Sequence, residues 1–140
     1  MSYKKIKNTK LSGGNRLLAP KPVPEDSSNH MHPAFCFKFC QKKFTIDDCD
    51  RDTKSLLADK IFKLSQFSWN TLQGQNRHGL GHEIIAKESI SVSVPITTPD
   101  DRSFLCFRLG GGKNSVLIGY RMAKIFYIVW IDPQGRVYKH

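Results

Sequence analysis

Two histidines in a glycine-rich stretch, and a set of arginines with a tyrosine near the end of the chain, are the residues whose types and spacing point to chemistry. His78 and His82 stand in Arg77-His78-Gly79-Leu80-Gly81-His82-Glu83, and imidazole titrates close to neutrality, so either ring suits proton transfer. Downstream, Arg108, Arg121, Arg136, Tyr138, Lys139 and His140 punctuate or follow apolar runs. The set is adequate for metal-free cleavage of RNA. That reaction uses the ribose 2′-OH as nucleophile and needs a base for the hydroxyl, an acid for the leaving 5′-oxygen and cations for the pentavalent phosphate. Arg121 and Arg108 are the candidate phosphate-stabilising cations, because a guanidinium fork fits phosphate oxygens. His78, His82, Tyr138 and His140 are the candidates for moving protons. Arg77, Lys113, Arg136 and Lys139 are candidate contacts to a nucleic-acid backbone, which carry no sequence information. Plainer roles compete with these: loop histidines at the surface, arginines solvating a half-buried sheet, a tyrosine ring packed on a sheet edge, and a frayed terminal histidine.

These residues need a sheet to position them. Phe104–Leu109, Val116–Arg121 and Ile125–Ile131 are apolar runs separated by Gly110-Gly111-Gly112-Lys113 and Met122-Ala123-Lys124, spacings that suit antiparallel hairpins. Arg108, Arg121, Arg136 and Lys139 converge if they point to one face, which depends on register. The triple glycine is a hairpin turn; it lacks the spacing of a phosphate loop. Ile90, Val92, Val94 and Ile96 alternate with polar residues and predict the first strand of this sheet, weakened near its end by Pro95. Phe126, Ile128 and Trp130 alternate with Tyr127, Val129 and Ile131, so the last run is apolar on both sides and central.

Upstream, Phe35, Phe37 and Phe39 alternate with Cys36, Lys38 and Cys40 and predict an opening strand. In Asp52–Ser65, Leu57, Ile61 and Leu64 fall at helical spacing, with Asp50 or Asp52 available as the cap. A shorter helix is expected over Ser68–Gln73. The expected fold is α+β: an N-terminal strand, a helical hairpin, then a twisted antiparallel sheet with an exposed, basic concave face.

A length of 140 residues allows one modest domain. A net charge of +10 and a pI near 9.6 imply a polyanionic or acidic partner, nucleic acid first. Residues 1–33 contain Lys4, Lys5, Lys7, Lys10, Arg16 and Lys21 among glycines and prolines, a composition expected to form a disordered basic arm before a domain at 34–140. The start has no apolar signal region and the longest apolar run is too short for a bilayer, so the expectation is a soluble, cytoplasmic protein. Cys36, Cys40, Cys49 and Cys106 are then read as free thiols. His30, His32, Cys36 and Cys40 offer enough ligands for one zinc, in a spacing that fits no established zinc motif. No metal or cofactor is called for.

Gly119-Tyr120-Arg121, then Phe126-Tyr127-Ile128-Val129-Trp130-Ile131-Asp132-Pro133 and Tyr138, resemble the C-terminal strands of ParE-like toxins. The order strand, helix, helix, sheet over residues 34–140 resembles the RelE/ParE superfamily of bacterial toxin–antitoxin systems as a whole. The resemblance implies one fold with two activities: mRNA endonucleases acting on the ribosome, and toxins that inhibit DNA gyrase without cutting. It places Arg121 where cutting members carry a phosphate-stabilising arginine, and it implies a cognate antitoxin with an acidic or amphipathic segment. The ending Tyr138-Lys139-His140 differs in order and spacing from the His and Tyr ending of some ribosome-dependent members. A plain nucleic-acid-binding module remains a third expectation.

Overall fold

The computed structural model describes residues 28–111 and 114–139; most of the expected arm, Lys113 and His140 lie outside the described residues. The elements run β1 (Ala34–Cys36), α1 (Arg51–Ser65), α2 (Trp69–Gln73), β2 (Glu83–Ile85), β3 (Phe104–Arg108), β4 (Val116–Met122) and β5 (Ile125–Asp132). The molecule is an α+β domain. Asp50 starts α1, its Oδ1 accepting the Thr53 N–H at 2.7 Å, which satisfies one of the orphan donors of the first turn. Leu57 and Leu64 of α1 are buried. Ser68 restarts the chain as α2, its hydroxyl accepting the Thr71 N–H at 3.2 Å, and α2 buries Trp69 and Leu72.

The sheet is mixed, in the order β1-β5-β4-β3-β2. β1 runs parallel to β5, and the remaining neighbours are antiparallel. β5 lies inside the sheet between β1 and β4, and the cover on both of its faces explains its apolar residues on both sides. Between β4 and β5 the register slips: Ile118 faces Trp130, yet Gly119 faces Ile128, leaving Val129 as the extra residue of a bulge. Val129 and Trp130 therefore both enter one apolar cluster, while Phe126, Ile128 and Ile131 enter the other.

The two clusters cover the two faces. One packs Leu105, Phe107, Leu117, Phe126 and Ile128 against Leu57, Leu64, Trp69 and Leu72 of the helices. The other joins Phe104, Cys106, Ile118, Tyr120 and Trp130 to Phe39, Phe44, Val92, Val94 and Val137 from the connections and the tail. The expected exposed basic face is thus absent among the described residues, because connecting segments bury the face that the helices leave.

Two expected strands differ from the fold. Ile90–Ile96 forms no strand: Ile90 makes an isolated bridge to Tyr138, Ser91 N–H donates to Val137 O at 2.7 Å, and the segment lays Val92 and Val94 across the sheet face. Ile96 is 101% exposed. The edge beside β3 belongs instead to Glu83–Ile85. The opening strand stops at Cys36, after which the Cys40 N–H bonds to Phe37 O and turns the chain over β5. Ser28 is buried, so the packed unit reaches back into the stretch expected as arm.

Candidate functional site

Arg121 and Arg108 lie on opposite faces of the sheet. Cross-strand partners in a pleated pair share a face, and Arg121 pairs with Phe126, in the cluster against the helices. Arg108 pairs with Val116, in the other cluster. The expected convergence of four cations therefore fails on register.

Arg121 is 5% exposed. Its guanidinium lies 4.5 Å over the Trp69 ring, Nε donates to Ala123 O at 2.6 Å and Nη2 donates to the Ser28 hydroxyl at 3.2 Å. Trp69 is itself pinned by Nε1–H to Lys124 O at 2.9 Å. The cation is held by the fold, and it reaches the wall of a cleft.

That cleft, of about 260 Å³, is lined by Trp69, Gln73, His82, Ile84, Asp101, Arg102, Ser103, Leu105 and Arg121. His82 immediately precedes β2 and packs its ring 5.3 Å from Phe107, on the helix side of the sheet with Arg121. Its Nδ1 is screened from solvent and has no hydrogen-bond partner among the described residues, which leaves Nε2 as the nitrogen for exchange with the cleft. Burial pushes the imidazole below its usual range, and the Arg121 charge pushes the same way. The ring is therefore neutral, with a basic lone pair, at neutral pH. Arg102, half-buried and 3.8 Å from Asp101, adds a second cation. It stands two residues ahead of β3, and the start of that strand places it on the cleft.

The lowered pKa of His82 fixes the sign of a pH effect. The unfolded chain takes up the proton near pH 6.5 and the folded chain only at lower pH, so the contribution to stability is complete above about 6.5 and is lost as pH falls through the folded value. The denaturation midpoint of the wild type should drop on acidification below about pH 6.5, with a shallower drop in His82→Gln. A series of urea titrations across that range measures it.

The other expected residues are dispersed. His78 is exposed in the turn fixed by Asn76 Oδ1 accepting its N–H at 2.8 Å, beside α1, where Lys60 Nζ donates to Gly79 O at 2.9 Å. A Cβ added at Gly81 would stand 2.1 Å from Gln75 O, so this glycine serves the turn that delivers His82. Tyr138 donates its hydroxyl to Glu83 at 3.3 Å, and Arg77 meets the same carboxylate oxygen at 3.5 Å. The Glu83 charge pushes the Tyr138 phenol above its usual range, which disfavours the phenolate. Arg136 stands 5.6 Å over Phe44. Arg108 and Lys139 line a separate cleft with Asn114 and Gly135.

Among the described residues, no group of three or more His, Cys, Asp or Glu side chains is placed to hold a metal. His32 Nδ1 donates to Ser65 O at 2.7 Å. The four cysteines are free thiols; burial pushes Cys106 up to about 12 and Cys40 up to about 11, which makes both poor nucleophiles. No helix among the described residues is long and apolar enough to cross a membrane. No protein-family model, curated protein or solved structure matches the chain.

Proposed function

We propose that this chain is a RelE/ParE-type toxin of a type II toxin–antitoxin system, acting on the ribosome as a metal-independent mRNA endonuclease from the His82 cleft. The observation that carries it is the meeting of a neutral imidazole, His82, with the guanidinium of Arg121 from β4 in one cleft. Neutral His82 takes the proton of the ribose 2′-OH. Arg121 supplies fixed positive potential beside it, and Arg102, nearer solvent, meets the phosphate oxygens. No second imidazole and no tyrosine lines the cleft among the described residues, so the leaving 5′-oxygen takes its proton from water or from the ribosome. The element order and the Gly119-Tyr120-Arg121 strand support the family. A cognate antitoxin with an acidic or amphipathic segment would cover the cleft.

One observation favours the second reading, a toxin that inhibits DNA gyrase without cutting: His78, Tyr138 and Arg108 lie away from the cleft, and that activity requires no proton transfer. Expression of wild type and His82→Gln in a bacterial host, with growth followed and mRNA 5′ ends mapped, separates the two. New ends that vanish in His82→Gln at equal protein level support the endonuclease. Arrest with intact mRNA would move the assignment to gyrase, and no arrest to a plain nucleic-acid-binding module.

A further inference from the structure

The strongest unexplained group outside the His82 cleft is Arg108. It ends β3, is half-buried, and its Nε is screened from solvent without a hydrogen-bond partner among the described residues. A cation taken partly out of water without a partner loses hydration that nothing replaces. The available carboxylate does not replace it. Asp132 lies on the same face two strands away, through the row Arg108, Val116, Asp132, but its Oδ2 accepts the Val137 N–H at 2.7 Å and it makes no ion pair with Arg108 among the described residues.

Arg108 instead lines a cleft of about 380 Å³ with Lys139, Asn114 and Gly135. Among the described residues the charged lining is entirely cationic. Its walls are fixed: Gly135, at φ +69, packs so closely that an added Cβ would stand 2.9 Å from Asn114 O. A guanidinium fork and an ammonium beside one recess suit a tetrahedral oxyanion, and a chain of net charge +10 meets such groups chiefly as phosphates of a polyanion.

We infer that the Arg108–Lys139 cleft binds a phosphate group, at a site separate from the His82 cleft and on the other face of the sheet. The inference is independent of whether the chain cuts RNA. The phosphate belongs either to a nucleic-acid strand or to a free phosphate, and one experiment distinguishes them. Inorganic phosphate, then a short single-stranded RNA, is titrated into the full chain while the backbone amide resonances are followed by NMR, using wild type, Arg108→Gln, the double variant Arg108→Gln/Lys139→Gln, and Lys54→Gln as a charge-matched control on exposed α1 surface.

The expected result is saturable movement of the Asn114, Gly135 and Lys139 amides with phosphate, weakened roughly tenfold or more in Arg108→Gln and unchanged in Lys54→Gln. If the RNA displaces phosphate, a strand is the natural source, and the double variant should flatten its log affinity against log salt slope by about 1.4, roughly 0.7 for each of two contacts. If phosphate stays bound while RNA binds elsewhere, the site takes free phosphate. No movement of these amides with either probe, or equal weakening by Lys54→Gln, would overturn the site. Because Arg108 has no hydrogen bond or ion pair to lose among the described residues, Arg108→Gln should melt at or above the wild-type temperature; a markedly lower melt would overturn its unpaired state.

Discussion

Arg121→Ala should cost about 3–5 kcal/mol of folding stability: two charge-assisted hydrogen bonds worth roughly 1.5–3 kcal/mol each and a desolvated cation–π contact worth about 0.5–2 are lost, offset in part by the desolvation cost of the buried cation that is no longer incurred. The side chain is 5% exposed, sits 4.5 Å over Trp69 and donates to Ala123 O and Ser28. Removing it strands the Ala123 carbonyl and opens a void beside the indole. A domain stable by about 5–15 kcal/mol loses a large share of that margin, and the melting temperature should fall by more than about 10 °C. Arg121→Lys should recover little, since an ammonium neither stacks as a plane on Trp69 nor spans both acceptors. Thermal melts of the three proteins decide the point, and an unchanged melt for Arg121→Ala would show that these contacts do not hold the domain. Loss of activity in this variant would report on folding, so the chemistry has to be tested at His82.

Gly119→Ala should be comparably damaging for a different reason. A Cβ there would stand 2.0 Å from Tyr127 O and 2.9 Å from Phe126 Cζ. The carbonyl is backbone in β5, an interior strand, and Tyr127 pairs with Tyr120 on one side and Cys36 on the other. Relief of the clash would therefore spread into both pairings, at a cost of about 3 kcal/mol or more. Gly110→Ala is the informative comparison: nothing lies within 4 Å of its added Cβ, and only its φ of +88 resists substitution, worth about 1 kcal/mol. Denaturant midpoints should rank wild type, Gly110→Ala, then Gly119→Ala. Equal midpoints for the two variants would mean that the bulge between Ile118 and Gly119 tolerates a side chain.

Local patterns in the sequence carried the helices and the last three strands. Leu57, Ile61 and Leu64 with Asp50 mark α1 almost to the residue, because periodicity and cap coincide. What local pattern does not carry is parity. Arg108 and Arg121 read as neighbours on adjacent strands, and only the observed pairing shows that they face opposite ways. Ile90–Ile96 alternates as a strand does, yet alternation reports one buried side and not hydrogen bonding along an edge; here the buried side rests on the face of the sheet. Glu83–Ile85 is too short to announce itself. The burial of Arg121 depends on Trp69, remote in sequence, being pinned beneath it. Of the candidate site, His82 and Arg121 were legible as residue types, whereas Arg102, just ahead of β3, shows itself as a lining residue only in the folded cleft.

The most direct test of the endonuclease assignment is cleavage of a labelled mRNA by the purified chain with ribosomes, reading both the rate and the chemistry of the new 3′ ends, for wild type and His82→Gln. Attack by the 2′-OH with His82 as base predicts 2′,3′-cyclic phosphate or 3′-phosphate ends from the wild type. It also predicts a rate lower by about 10²–10⁴ in His82→Gln, with melting unchanged at neutral pH. Cleavage by His82→Gln at the wild-type rate, or 3′-hydroxyl ends, would contradict it.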